Sequence, residues 1–308
     1  MEHTKKQSAF SKWYGTVPIR TRETIVSYLF LLPALLFFTF FVIVPIVNGV
    51  YTSFFNYTMR KFDFVGLNNY IKLFSDEVFL KSLRNTVLLV VGVVPFIVLF
   101  SLFVSVVIYQ KNAVIRSAFR AVFYLPVVTG TVSIVVVWKW IFDPMNGILN
   151  YILMQLGAID APIMWLGDKR FALWSIIIVL LTTSVGQPII LYIAALGNLD
   201  QSHIEAAEID GANEWQIFRH IKWPGILPTT LYVVVITTIN SFQCFSLIQL
   251  LTAGGPNNNT TTIMYQVYVT AFSEYKFGYA NAMGVILAII IGIFSIVQFK
   301  CFGNDVEY

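Results

Sequence analysis

Thr237, Asn240, Ser241 and Cys244 fall at i, i+3, i+4 and i+7 in an otherwise apolar run, a spacing that puts all four on one face of a helix. Gln243 lies beside that face. An upstream apolar run carries Ser184, Gln187 and Pro188, the proline freeing a backbone carbonyl and tending to kink a helix. Hydroxyl and amide groups donate and accept hydrogen bonds while staying neutral. The set therefore suits contact with an uncharged polar solute and supplies no acid or base. Two readings of it stand. In a bilayer such side chains border a water-filled path, or they tie helices together at ~0.6 kcal/mol per bond.

A second constellation is charged. Only 12% of the 308 residues are Asp, Glu, Lys or Arg, yet Glu205, Glu208, Asp210, Glu214, Arg219 and Lys222 crowd into "HIEAAEIDGANEWQIFRHIKWPGILP", which starts at His203. Ser202-His203-Ile204-Glu205 has the Ser-x-x-Glu form of a capping box and starts a short helix that Gly211 ends. Asn213-Glu214-Trp215-Gln216 starts a second helix in the same way, and Pro224 limits how far it runs. Two short helices bent at Asp210-Gly211 are the result. Ile204, Ala207 and Glu208 share a face of the first; Trp215, Phe218 and Ile221 make an apolar stripe on the second. Small Ala206 and Ala207, next to Gly211, let another protein come close. One reading makes Glu205 a helix cap and the other charges a solvated face. The other makes the segment a docking knob, with Trp215 and Phe218 as anchors to the membrane-facing side or to a partner.

Several chemistries are missing from the sequence. There is no G-x-x-x-x-G-K-[ST] phosphate loop, no G-x-S-x-G elbow and no H-E-x-x-H. His3, His203 and His220 are the only histidines and no Cys pair accompanies them, which argues against a metal site. Cys244 and Cys301 lie in apolar surroundings and read as small fillers. The chain reads as non-catalytic, with no cofactor of its own. The glycosylation sequons at Asn56 and Asn258 carry little weight because so short a pattern often occurs by chance.

The elements that must position these groups follow from composition. Hydrophobic residues make up 57% of the chain, aromatics 16%, and the mean hydropathy is +0.74, well outside soluble globular usage. A spanning helix needs ~20 apolar residues, and six segments qualify, at about 28–51, 86–109, 121–138, 171–199, 225–251 and 277–299. Their middles hold no Asp, Glu, Lys or Arg, groups that proton-coupled carriers place at depth. The fifth and sixth are separated by "TAGGPNNNTTT", rich in helix breakers, which reads either as an outer loop touching a partner or as a polar hairpin. The first apolar run is too long for a signal peptide and is retained. Arg20, Arg22, Lys111, Arg116 and Arg120 flank span ends on the side shared by both termini and by the charged stretch, making that side cytoplasmic. The tails are 1–27 and 300–308, around a membrane domain at 28–299 that includes the loop at 200–224. Between the first two spans, "FVGLNNYIKLFSDEVFLKSLRNT" describes an external amphipathic helix, with Leu67, Tyr70, Ile71 and Phe74, then Phe79, Leu80 and Leu83, at helical spacing. A net charge of +4 with scattered basic residues excludes nucleic acid as a natural partner.

"EAAEIDGANEWQIFRHIKWPGILP" resembles the EAA loop of permease subunits of binding-protein-dependent ABC importers: E-A-A, then D-G-A, then an apolar-x-x-P ending. "FVGLNNYIKLFSDEVFLKSLRNT", "AFRAVFYLPVV" and "LTAGGPNNNTTTIMYQVYVTAF" resemble the MalF-type subunit of oligosaccharide importers, so that the likeness covers about 28–300. Trp223 departs from it, since the family more often has Leu before this Pro. The resemblance implies an all-α membrane protein of six transmembrane helices with a cytoplasmic helix-turn-helix between the fourth and fifth. It implies that Glu205 and Gly211, with Ala206, Ala207, Asp210 and Ala212 beside them, form a coupling helix seated in a cytoplasmic ATPase. Trp215 and Phe218 are candidate anchors there. Gln187, Thr237, Asn240, Ser241, Gln243 and Cys244 are candidates for the substrate path, with Tyr192 and Phe242 as rings that stack on a sugar. The implied partners are a second permease, two ATPase subunits that bind ATP and Mg, an extracytoplasmic solute-binding protein and a carbohydrate. The implied location is the cytoplasmic membrane of a prokaryote. A self-sufficient carrier or facilitator for a neutral polar solute is the alternative, and a non-transporting membrane scaffold is a third reading.

Overall fold

The computed structural model of the chain describes residues 18–302. Two compact units divide at Thr52/Ser53. In the first, α1 (Ile19–Phe38) and α2 (Val44–Thr52) are joined by a π-helical turn, Thr39–Ile43. The N–H of Val44 reaches back five residues to the carbonyl of Thr39. Pro45 follows at once, and a proline in strict α geometry presses on the carbonyl four residues back. The widened turn makes room for it. Helix therefore begins inside the stretch expected as a tail at 1–27, of which 1–17 lies outside the described residues.

The second unit opens with a two-stranded hairpin, β1 (Phe55–Tyr57) against β2 (Phe62–Phe64), in the register Phe55↔Phe64 and Tyr57↔Phe62. It is the one departure from an all-helical plan among the described residues. A short α3 (Asn68–Leu73) leads to α4 (Glu77–Tyr109). The segment expected as one amphipathic helix thus splits in two, because the carboxylate of Asp76 accepts from the N–H groups of Val78 and Phe79 and starts a new helix there. The second span accordingly begins at Glu77, not near 86.

Long α4 is the centre of the unit, lying against α8 (Ala172–Ser184), α9 (Gly186–Gly197) and α12 (Trp223–Phe242). Leu102 of α4, Tyr192 and Leu196 of α9, and Ile226 and Val233 of α12 make one buried cluster. Hydroxyls of Ser101 and Ser105 on α4 donate to the carbonyls of Val185 at 3.4 Å and Ile189 at 3.1 Å. α15 (Phe277–Phe302) packs on α12, where Gln298 Nε2 donates to Thr238 Oγ1 at 2.8 Å. α15 runs past the expected tail boundary at 300, and 303–308 lie outside the described residues.

Among the described residues, five helices are long and apolar enough to cross a membrane, and a sixth crossing exists if a bent pair counts as one. That pair corrects the expected straight span at 121–138: α5 (Ala113–Val128) and α6 (Thr131–Ile141) meet at 98°. Pro126 removes a helical hydrogen bond just before the bend, and Thr129 and Gly130 adopt extended backbone. After it come α7 (Ile148–Gln155) and the connection to α8. The fifth span is also corrected. It ends at Phe242 instead of 251, and α13 (Ser246–Leu251) is separate. The hydroxyl of Thr262 takes the carbonyl of Cys244 at 2.9 Å and holds the break open.

"TAGGPNNNTTT" is a folded cap and not a simple hairpin, with Asn257 and Asn258 exposed on it. Thr260, Thr261 and Thr262 are buried, and the Thr252 and Thr260 hydroxyls meet at 2.7 Å. α14 (Ile263–Tyr268) and a π-helical turn, Val269–Ser273, follow it.

Candidate functional site

α9 and α12 pack against each other, and α5 packs on α9. The close approach of α5 needs Gly186, because a Cβ there would sit 2.2 Å from the carbonyl oxygen of Phe123 and 2.9 Å from Val127 Cγ2. Between these three helices and the end of α8 lies a cavity of about 160 Å³, bordered by Ser184, Gln187, Pro188, Thr237, Asn240 and Ser241. A second cavity of about 300 Å³ shares Val127, Leu180, Thr183 and Asn240 with it and continues past Gln243 and Cys244 toward the bend at Thr129 and Thr131.

The polar groups differ in how much of their bonding is already used. Thr182 and Thr183 give their hydroxyls to the carbonyls of Val179 and Leu180. The side chains of Gln187, Asn240 and Gln243 make no hydrogen bond to another described residue. Asn240 and Gln243 are exposed, while Thr237 and Ser241 are buried against the helix neighbours. The cavity wall can therefore exchange hydrogen bonds with a neutral solute, and it presents no charge.

Gln187, Thr237, Asn240 and Ser241, separated by some fifty residues of sequence in two groups, meet at this cavity. Cys244 is not on the α12 face, since the helix has ended; it is buried beside Leu247 and Ile248 with only part of its surface reaching the second cavity. Tyr192 is a correction. Its side chain is 0% exposed and packs with Leu102, Leu196, Ile226 and Val233, away from the cavity. Phe242 is equally buried, edge-on to Phe294 with ring centroids 5.3 Å apart. Neither ring is placed to stack on a solute. Thr183 and Val127 line both cavities without having been singled out in the sequence; Thr183, one helical turn before Gln187, carried a readable signal.

The same two helices, α9 and α12, flank the charged stretch. Asn198–Asp200 leads from α9 into α10 (Gln201–Ile209), whose N-cap is Asp200, accepting from the Ser202 N–H at 2.9 Å. This corrects the Ser202–Glu205 capping box: the helix begins one residue before Ser202, and Glu205 is left exposed on its surface. Hydrogen bonds from Ser202 hold the Asp200 carboxyl below its ordinary range. At the far end Gly211, with φ +81°, donates to the Glu208 carbonyl and Ala212 donates to that of Ala207, which is a Schellman ending. Asn213 and Gln216 form a reciprocal capping box that opens α11 (Glu214–Ile217).

Pro224 does not stop this second helix. A π-helical turn at Phe218–Lys222, with Trp223 N–H bonded five residues back to Phe218, carries the chain directly into α12. The solution is the one already described before Pro45. From Glu214 to Phe242 the chain is a single helical rod of 29 residues.

The pair α10–α11 is held against the end of α4. Gln201 Nε2 donates to Tyr109 Oη at 3.2 Å, Gln110 Nε2 donates to Glu214 Oε2 at 3.4 Å, and the buried Lys222 ammonium lies 3.6 Å from the same carboxylate. Trp215, 66% exposed, stacks on Phe218 with centroids 5.7 Å apart. Both border a groove whose other wall is Leu99, Leu102, Phe103 and Val106 of α4. Glu205, Ala206, Asp210 and Gly211 are exposed, and Ala207, Asp210, Gly211 and Ala212 rim a concavity of about 320 Å³ between the short helices.

Residues 20–300 match the family described as binding-protein-dependent transport system inner membrane component. The chain is similar to a probable ABC transporter permease protein of Pyrococcus horikoshii, 33% identical over 264 residues that make up 85% of this chain and 90% of that one. It is similar also to the lactose transport system permease protein LacF of Rhizobium radiobacter, 30% identical over 299 residues, 96% of this chain and 97% of the other. In fold it matches a chain in the crystal structure of a bacterial ABC transporter involved in the import of the acidic polysaccharide alginate, with a TM-score of 0.81 at 22% sequence identity, covering 93% of this chain and 98% of that one.

Proposed function

The chain belongs to the family of binding-protein-dependent transport system inner membrane components, and from that membership we propose that it is one permease subunit of an ATP-driven importer for a sugar, most naturally an oligosaccharide. Its partners in this reading are a second permease, two cytoplasmic ATPase subunits and an extracytoplasmic solute-binding protein. A similar protein named for lactose transport supports a carbohydrate substrate. The neutral hydroxyl and amide lining of the α9–α12 cavity supports it independently, since sugars present hydroxyls and no charge.

One observation carries the mechanism. Two of the helices that wall the cavity, α9 and α12, are the two that enter and leave the α10–α11 pair. α11 is in addition continuous with α12, so a displacement imposed at Ile217 acts on Asn240 through about 35 Å of unbroken helix, 23 residues at ~1.5 Å each. In the proposed cycle, closure of the ATPase subunits moves α10 and α11 through Glu205, Asp210 and Gly211, and α9 and α12 respond by opening the cavity to one side or the other. The corner at Gly211 and the capping box at Asn213 keep the pair from absorbing that motion.

The test is uptake by the complete complex in sealed vesicles. Sugar accumulation should require ATP inside and binding protein outside, and uptake that persists without nucleotide sinks the reading. Asn240→Leu and Gln187→Leu should each lower uptake at limiting sugar about tenfold, as expected for a lost bond of ~1.4 kcal/mol. Thermal stability should stay near wild type, because neither amide bonds another described residue. Wild-type uptake by both variants would remove the cavity from the path.

A further inference from the structure

Six large apolar side chains stand exposed between Met59 and Phe74: Met59, Phe62, Phe64, Leu67, Ile71 and Phe74. Phe64 is 71% and Ile71 64% exposed, so the segment offers a surface that a water-facing loop does not keep. Leu67, Ile71 and Phe74 are spaced i, i+4 and i+7 along α3 and its ends, on one face. The opposite face is fixed to the protein. Leu73 is fully buried, Asn69 Nδ2 donates to the carbonyls of Ser53 at 2.7 Å and Phe55 at 2.9 Å, and Tyr70 Oη bonds Ser53 Oγ at 2.6 Å. The hairpin is equally fixed, since a Cβ at Gly278 on α15 would fall 2.0 Å from the Phe55 carbonyl oxygen, and the Tyr57 and Phe277 rings lie 5.1 Å apart.

We propose that this rigid hairpin–α3 platform is an interfacial foot that seats in the headgroup layer of the membrane leaflet at the end of the molecule away from α10–α11. Three observations choose lipid as the occupant. The platform connects two helices long and apolar enough to cross a membrane, the one ending at Thr52 and α4 starting at Glu77, so both ends of its chain are held at the interface. It packs on the starts of α4 and α15, Leu73 lying in one buried cluster with Phe79, Ala282 and Met283, and Tyr279 Oη donates to Asp76 Oδ2 at 2.8 Å between those two helices, which fixes its level at the span ends. Its exposed residues pair aromatic and aliphatic chains with Arg60, Lys61 and Lys72, all exposed and outside the three ion pairs found among the described residues. That mixture of aromatic and basic groups suits an interface carrying anionic lipid.

The inference goes beyond the transport reading and does not depend on it. It is tested with the full-length chain in vesicles of phosphatidylethanolamine and phosphatidylglycerol, carrying Cys301→Ser so that buried Cys244 is the remaining native cysteine. A nitroxide is placed by Ile71→Cys or, on the far face of the hairpin opposite Asn56, by Asp63→Cys; both positions are exposed, so the label leaves the core intact. Collision with dissolved oxygen relative to a water-soluble nickel chelate should be several-fold higher at 71 than at 63. Equal, water-like ratios at both positions overturn the proposal, as does a ratio at 71 that leaves the aqueous range only after the second permease or the solute-binding protein is added. Arg60→Glu, Lys61→Glu and Lys72→Glu together should shift the ratio at 71 toward water in these vesicles and leave it unchanged in phosphatidylcholine alone. No shift overturns the part assigned to anionic headgroups.

Discussion

The side-chain amide of Asn85, on α4, donates to the backbone carbonyl of Thr261 at 3.0 Å across 176 positions of sequence. The same amide reaches the Asn258 carbonyl at 3.0 Å, and next to it Thr86 Oγ1 accepts from the Ile263 N–H at 3.0 Å. Two adjacent residues of α4 thus hold the whole Thr252–Thr262 cap in place. Asn85→Leu keeps the volume and strands two carbonyls, at a cost of ~1–3 kcal/mol for each that stays buried without a donor. Limited proteolysis should then cut between Gly254 and Thr261 faster than in the wild-type chain. Equal resistance would mean that the buried threonines alone hold the cap.

Two glycines separate a rigid obstacle from a soft one. At Gly186 the added Cβ meets the Phe123 backbone oxygen at 2.2 Å, whereas at Gly225 it meets the tip of the Leu199 side chain at 2.4 Å. A leucine rotates; a helix backbone moves only with its helix. Gly186→Ala should therefore cost ~1–3 kcal/mol and lower the unfolding midpoint in detergent by several degrees. Gly225→Ala should cost less than about 1 kcal/mol by the same principle. Similar midpoints for the two variants would contradict the packing of α5 on α9.

What the sequence made legible follows from which signals are local. Runs without charge marked the spanning helices, because a bilayer tolerates no alternative. Gly211 and the Asn213–Gln216 box marked the corner between α10 and α11, because a left-handed residue and a reciprocal cap each need particular side chains at fixed offsets. The bend at Thr129–Gly130 was not legible, since both arms are equally apolar and hydropathy is blind to direction. Pro224 was misread because its rule assumes α geometry, and a π-helical turn removes that assumption. The end of α12 depended on Thr262, which bonds Cys244 across eighteen residues of sequence. Tyr192 sits on a helix whose sides are nearly all apolar, so periodicity gave no phase by which to tell its core face from its cavity face.

The N-cap of α10 gives a pH dependence with a definite sign. The Asp200 carboxyl is held below its ordinary value of 3.8 by hydrogen bonds from Ser202. A carboxylate lowered on folding stabilises the folded state above its ordinary value, and the contribution is lost as pH falls through the lowered one. Amide exchange at Ser202 and His203, corrected for intrinsic rates, should therefore be flat from about pH 5 to about pH 8. Asp200→Asn, which keeps an accepting oxygen, should preserve protection there, and Asp200→Ala should raise exchange several-fold. Protection unchanged by the alanine would show that tertiary contacts such as Gln201–Tyr109 hold the first turn unaided.

Gly211 can act through its backbone or through the surface it leaves open, and three substitutions separate the two. Its φ of +81° is a conformation L-residues avoid, and nothing lies within 4 Å of where a Cβ would point. Strain and steric exclusion by a partner are therefore independent here. Alanine at a left-handed position costs ~1–2 kcal/mol, and asparagine pays less of it because its side chain bonds locally. If the corner's conformation is what matters, Gly211→Asn should retain the ATPase subunit during co-purification of the complex and Gly211→Ala should retain less of it. If the open surface is what matters, asparagine, the larger side chain, should be the worse of the two. We expect asparagine to be the worse, because the rim of Ala207, Asp210, Gly211 and Ala212 around the concavity leaves room that only small side chains preserve. Gly211→Asp, which adds charge to bulk, should release the ATPase altogether while α10 and the spans still form. Retention by all three variants would exclude this corner from the docking surface.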